Sequence, residues 1–237
     1  MIITSAHNEK LKQIRKLTRR RERDACGRFV AEGEDLIAAA RGAGWEPVHL
    51  LAAAGSDLEG EQVEPSVMDT LSALASGART IGVYEARWGI PVGPVCVYLH
   101  GVADPGNVGT ILRSALAFGA ASVVLGPGCA DPFGPKAVRA SMGAIFEVVV
   151  VRAPSIADLP GERVALVAGG GSPLGGRANG DTTLVVGAER DGLPPDVVAA
   201  CERVAHIPIA SHSLNAAMAA TVALYELTRG GVSSWSG

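Results

Sequence analysis

Between residues 8 and 23 the apolar side chains Leu11, Ile14 and Leu17 recur at every third position among basic residues. That period predicts one amphipathic helix, with an apolar stripe to dock and a cationic face to spare. Short apolar runs then alternate with helical stretches: strand 28–31, helix 34–43 closed by Gly44, strand 48–53, helix 66–75 and strand 80–84. The alternation predicts a small α/β unit. Two prolines and two glycines crowd residues 87–94 (RWGIPVGP), where regular structure is hard to continue. We therefore expect an N-terminal domain over 1–88, a linker over 89–94, a second domain over 95–230 and a frayed tail over 231–237.

Past the linker the strands lose their polar alternation. Apolar runs at 95–100, 122–126, 147–151, 163–169, 183–189 and 204–209 are separated by predicted helices after Asn107 and at 136–140, 195–201 and 215–228. Strands that are apolar throughout need cover on both faces, which predicts a parallel sheet between helices. The glycine run 169–171 lacks dinucleotide spacing, because Leu174 stands where a third glycine is needed. The phosphate-loop pattern is absent as well. Nicotinamide and nucleotide-triphosphate readings lose their main support.

Composition narrows the class. Hydrophobic residues form 48% and charged residues 19% of the 237, enough apolar surface for one large or two modest domains. No apolar run approaches the roughly 18 residues of a membrane span, and the first residues lack the apolar core of a secretion signal. A cytoplasmic protein is expected. Cys26, Cys96, Cys129 and Cys201 are scattered, with no ligand spacing for a metal, so buried thiols and no metal site are expected.

Charge is distributed unevenly. Nine basic and three acidic residues through Arg28 give +6, and the remaining 12 basic and 21 acidic residues give −9. A basic arm on an acidic body suits RNA phosphates, and Lys10, Lys12, Arg15, Lys16, Arg19, Arg20, Arg21 and Arg23 are its candidate contacts. A charge run can also be merely a solvated face. The arm holds no aromatic residue before Phe29, so phosphate and shape, rather than base stacking, are its expected means of recognition.

Three polar-rich stretches remain. In NVGTILRSALAFGA (107–120), Asn107 suits a helix N-cap and Val108, Ile111, Leu112 and Ala115 form a buried stripe. Arg113 falls off that stripe, leaning back toward Asn107; spacing alone makes it a surface arginine. In VVGAERDGLP (185–194), Gly187 allows close approach of a ligand to the backbone. Glu189 ends the strand as a carboxylate fit to hold a loop or to act as a base, though an ordinary strand-turn-helix has the same form. In IPIASHSLNAAMAA (207–220), Ser213 suits an N-cap and the alanines suit a closely packed helix, with His212 a solvent-facing loop residue.

In order and wording these stretches resemble the three motifs of the SpoU (TrmH-like) RNA 2′-O-methyltransferases of the SPOUT superfamily, and RFVAEGEDLI (28–37) resembles their N-terminal substrate-binding domain. The resemblance implies a parallel-sheet SPOUT domain with a deep trefoil knot, preceded by a small α/β RNA-binding domain like ribosomal-protein RNA binders. It implies S-adenosylmethionine as cofactor, held by Gly187, Ile207 and Leu214, and a catalytic surround of Asn107, Arg113, Glu189, Ser213 and Asn215. RNA, ribosomal rather than transfer, is the implied partner, together with a second copy of the chain. A transfer RNA 2′-O-methyltransferase and a non-catalytic RNA binder of the same fold are the alternatives. One departure stands out: residues 210–212 between the last motif's two elements are short and free of glycine.

Overall fold

A mixed four-stranded sheet organises the first part of the chain, and a seven-stranded parallel sheet the second. The computed structural model describes residues 2–73, 77–153, 155–176, 178, 180–210 and 213–229. It divides into two units, Met1–Arg87 with Asp131–Glu147, and Trp88–Ala130 with Val148–Gly237. The tail after residue 229, residues 211–212 and the end of the helix expected at 66–75 lie outside the described residues.

In the first unit the sheet runs β1 (Arg28–Glu32), β4 (Thr80–Glu85), β2 (His49–Ala53), β3 (Glu61–Val63), with β2 and β3 parallel and the other pairs antiparallel. Three-residue β3 is too short to leave a periodic signal. One sheet face carries Val30, Leu51, Ile81 and Val83, and α1 (Glu9–Lys16) lays Leu11 and Ile14 on it, with Leu17 beyond its end. Each such side chain contributes about 1.5–3 kcal/mol on burial. The other face carries Phe29 and its cross-strand partner Tyr84. Phe133 and Phe146 join them at 4.9 and 5.9 Å from the Phe29 ring, and the Trp45 indole donates to the Phe146 carbonyl at 2.8 Å. This aromatic layer is why residues 131–147, in sequence part of the stretch expected to form the second domain, pack in the first unit with α6 (Pro135–Ser141) against β1. Burial pushes the Tyr84 phenol up to about 12.

The single helix expected over 8–23 is two. α1 begins at the Asn8 cap, whose side chain accepts from Lys10 N, and its cap at the far end is Leu17; α2 (Arg20–Cys26) starts after an extended Arg19. The break is stabilised from a distance. Arg23 donates to the Leu17 carbonyl at 2.7 Å and, through Nε and Nη2, to Asp131 at 2.9 and 2.6 Å. An orphaned helix-end carbonyl is thereby satisfied. α3 (Glu34–Gly42) forms as expected, but α4 (Pro65–Asp69) is shorter than its predicted span. The buried Glu32 carboxylate takes the Ser72 hydroxyl at 2.6 Å and the Ala73 N–H at 2.9 Å, drawing the chain out of the helix.

The second sheet has the order β7-β6-β5-β10-β8-β11-β9, every pairing parallel. Its centre, β5 (Val95–Leu99), β6 (Ser122–Leu125) and β10 (Thr182–Val186), is buried at every residue, the reason those runs carry no polar alternation. β7 (Val149–Arg152), β8 (Glu162–Val167), β9 (Ser172–Pro173) and β11 (Arg203–His206) complete it, and α7 (Pro195–Ala199) links β10 to β11. α5 (Pro105–Ala117) and α8 (Ala216–Thr228) pack together through the small residues of α8, and Ser114 meets the Thr221 hydroxyl at 2.6 Å. Among the described residues no helix is long and apolar enough to cross a membrane. Cys96 is buried, Cys129 and Cys201 are half-buried, and Cys26, expected inside, is exposed on the short α2.

Candidate active site

Strand ends in the second unit converge on one cavity. Parallel strands all deliver their carboxyl ends to the same edge, where ligands of such sheets bind. Residues 168–169 after β8, 187–193 after β10, and 207, 209, 213 and 214 after β11 line a cavity of about 430 Å³ there. Gly187, Glu189, Ile207, Ser213 and Leu214 all line it.

The loop after β10 is a tight return. Ala188 and Gly192 exchange N–H···O bonds of 3.1 and 3.0 Å, closing residues 189–191 into a tip. A side chain at Gly187 would sit 2.3 Å from the Gly192 carbonyl carbon. The missing side chain of Gly187 thus makes room for the chain's own turn, while the residue still lines the cavity. The tip carries Arg190 and Asp191 into the cavity lining, two residues the sequence reading passed over although the motif's glycines bracket them.

Both helix caps differ from expectation, and the differences make the site. At α5 the cap is Asp104, whose side chain accepts from the Asn107 N–H at 2.9 Å, and Pro105 follows at the first position, where a missing N–H costs nothing. Asn107 is therefore relieved of capping, and its side chain is available for another partner. At α8 the cap is Asn215 rather than Ser213: Asn215 Oδ1 accepts from Ala217 N at 2.9 Å and Met218 N at 3.3 Å. With its oxygen committed, Asn215 must donate outward, and Nδ2 reaches Asn107 Oδ1 at 3.1 Å. Asn107 in turn donates from Nδ2 to Glu189 Oε1 at 2.5 Å. Hydrogen bonding thus fixes both amides and aims one carboxylate at the cavity wall. The bonds are exposed, so each is worth about 1 kcal/mol and their role is orientation. Burial raises the Cys129 thiol, and the Glu189 charge adds to that shift.

Arg113 lies outside the cavity, exposed on α5 beside Thr110. Among the described residues it has no side-chain hydrogen bond or ion pair, so the expected reach back to Asn107 is not made. The basic arm is divided. Arg23 is buried in the Asp131 pair and is withdrawn as an RNA contact, because its donors are spent inside the protein. Lys10 pairs with Glu61 and Lys12 with Glu9, while Arg15 donates to the Ala6 carbonyl at 2.7 Å. Arg20 stands 3.6 Å from Asp24. Lys16, Arg19 and Arg21 are exposed and make no side-chain hydrogen bond or ion pair among the described residues.

The donor set suits S-adenosylmethionine. Leu166, Val186, Ile207 and Leu214 offer apolar walls to a purine, and the loops offer backbone donors and acceptors. Arg190 is the sole basic group lining the cavity among the described residues, beside the acidic Glu189 and Asp191. A zwitterionic amino-acid tail requires one cation and at least one anion.

Comparison with known proteins agrees with this chemistry. The profile of the SpoU rRNA Methylase family matches residues 94–225, and that of the MRM3-like substrate binding domain matches residues 8–87. A Ribosomal RNA small subunit methyltransferase G 2 of Syntrophobacter fumaroxidans is 34% identical over 72% of the chain, which spans only 35% of that relative's length. A 23S rRNA (guanosine(2553)-2′-O)-methyltransferase of Bacillus subtilis is 32% identical, with 95% of this chain and 98% of the relative covered. The crystal structure of an AdoMet-bound rRNA methyltransferase from Sinorhizobium meliloti superposes with a TM-score of 0.88 at 29% identity, covering 98% of this chain and 99% of that one.

Proposed function

We propose that this chain, which belongs to the SpoU rRNA methylase family, methylates ribose 2′-hydroxyls of large-subunit ribosomal RNA in the cytoplasm, with S-adenosylmethionine as donor. The observation that carries this reading is the Glu189–Asn107–Asn215 chain of hydrogen bonds, whose Glu189 lines a cofactor-sized cavity. When bound, S-adenosylmethionine supplies an electrophilic methyl group. Gly187, Ile207 and Leu214 hold the adenine through backbone atoms, and Ser213 shares the same wall. A ribose hydroxyl is a poor nucleophile until its developing negative charge is stabilised. Arg113 serves as a cation for that charge and the adjoining phosphate, not as a base, because a guanidinium gives up its proton reluctantly and offers a planar fork of donors. Glu189 keeps the loop in place for both partners.

The test is direct. Purified protein is incubated with labelled S-adenosylmethionine and either unmodified 23S rRNA or unmodified transfer RNA, and the product is cleaved with alkali, which spares a 2′-O-methylated linkage. One protected position is expected. Label on a base, or on transfer RNA alone, overturns the assignment.

Arg190 is assigned to the cofactor's carboxylate. Arg190→Ala is expected to weaken S-adenosylmethionine binding about tenfold, about 1.4 kcal/mol, and to leave 5′-methylthioadenosine, which lacks the amino-acid tail, unaffected by calorimetry. Equal losses for both ligands would mean that Arg190 shapes the loop instead.

The chain is proposed to thread a trefoil knot, a reading supported by β10 and β11 lying on opposite sides of β8 and by three loops meeting at one cavity. It is further proposed to act as a two-fold homodimer. Met218, Val222 and Tyr225 recur along one side of α8, 60%, 39% and 51% exposed, with Leu116 of α5 also exposed. An aligned apolar stripe of this kind marks an interface. Val222→Asp is expected to give a monomer by light scattering and to abolish methyl transfer. A dimeric Val222→Asp protein would move the interface elsewhere. Lys16, Arg19, Arg20 and Arg21 remain the arm's proposed phosphate contacts.

A further inference from the structure

A second cavity is lined wholly by residues of the first unit. Strand periodicity places Arg28 and Val30 of β1, Val83 of β4 and His49 of β2 on one sheet face, because Val83 faces both Val30 and His49 across the register. α1 covers most of that face. Its end is left open, since α1 stops at Lys16 and the chain bends before α2. The resulting cleft measures about 250 Å³. Ile14, Leu17 and Val83 give it an apolar floor, and Lys10, Lys16, Arg28 and His49 a rim with one acid, Glu22. Lys10 is engaged with Glu61, whereas Lys16 and Arg28 make no side-chain hydrogen bond or ion pair among the described residues.

We propose that this cleft takes one unstacked nucleotide of single-stranded RNA, its base on the apolar floor and its phosphate on Lys16 and Arg28. The proposal rests on the RNA reading above and gives the first unit a specific pocket in addition to a charged surface. An apolar floor with a cationic rim matches a base joined to a phosphate, and His49 adds a ring face for stacking. Its imidazole is held below the ordinary value, first by burial and then by Lys10, with Arg28 acting in the same sense against Glu61. That shift favours the neutral ring, which can both donate to and accept from a base edge. A duplex cannot enter, since its bases are stacked within the helix.

Cys26 lines this cleft and is exposed, whereas Cys96 is buried and burial pushes the Cys96, Cys129 and Cys201 thiols up. Alkylation of the unaltered protein by N-ethylmaleimide, followed by peptide mass mapping, therefore reports on the cleft. A short single-stranded oligoribonucleotide is expected to slow Cys26 modification at least about fivefold. Uridine monophosphate is expected to act only at far higher concentration, and duplex RNA of the same sequence not at all. The double variant Lys16→Ala/Arg28→Ala should bind the single strand about tenfold more weakly, its salt dependence shallower by about 0.7 per lost contact, with S-adenosylmethionine affinity maintained. Equal protection by duplex and single strand, or a variant that binds RNA like the parent, overturns the proposal. Outcomes for the two readings separate. Full methyl transfer by protein alkylated at Cys26 removes the pocket and leaves the enzyme; protection of Cys26 without methyl transfer to any RNA does the reverse.

Discussion

Arg113→Ala is expected to lower kcat for methyl transfer about 10²–10³-fold, the usual loss when one donor to a developing oxyanion is removed, while S-adenosylmethionine binding by calorimetry stays near the parent value. The separation follows from position. Arg113 stands on the exposed side of α5, outside the cavity, so its removal leaves the cavity wall and the Glu189–Asn107–Asn215 bonds in place. Arg113→Lys should also be poor, because an ammonium cannot present the planar fork that spans a phosphate and a ribose oxygen together. If cofactor affinity falls in step with kcat, Arg113 shapes the pocket and its assignment to the transition state is wrong. Full activity in Arg113→Lys would likewise reduce its role to simple charge.

Arg23→Ala is expected to destabilise the first unit by about 3–5 kcal/mol, the range for breaking a buried ion pair from one side. Its side chain and that of Asp131 are each only 7% exposed. Truncation leaves two groups without their donor, the Asp131 carboxylate, which keeps the Phe133 N–H at 3.0 Å, and the Leu17 carbonyl, and it unties the bend between α1 and α2. Urea unfolding measures the loss. The pair Arg23→Met with Asp131→Leu should recover most of it, because two apolar groups of similar size leave no buried charge. A cost below about 1 kcal/mol for the single change would place the pair in the class of solvated surface bridges.

Arg23 also shows where local reading stops. In sequence it is one of a run of arginines, indistinguishable from Arg19 or Arg21. Its partner lies 108 residues away, and no local spacing announces the meeting. The two helix caps failed for a subtler reason. Asn107 and Ser213 are good capping residues, but Asp104 followed by Pro105 suits the position better, and Asn215 lies nearer the first turn of α8. Competing candidates a few residues apart are decided by where the strand before them releases the chain. The aromatic layer that draws residues 131–147 into the first unit has the same character. Phe133 and Phe146 have no local reason to seek Phe29.

What the sequence determined by itself is what short-range periodicity can encode: apolar runs that become buried parallel strands, helices that follow them, and three motifs rich in polar residues that packing alone does not require. Only the tertiary structure decided how those polar groups are used. It freed Asn107 for Glu189, turned Arg190 to the cavity, buried Arg23, and left a cationic cleft where α1 ends. The physical reason is that element formation depends on neighbours three or four residues away. Whether a cation is spent or available, and whether an amide donates or accepts, depends on partners that folding brings from the far end of the chain.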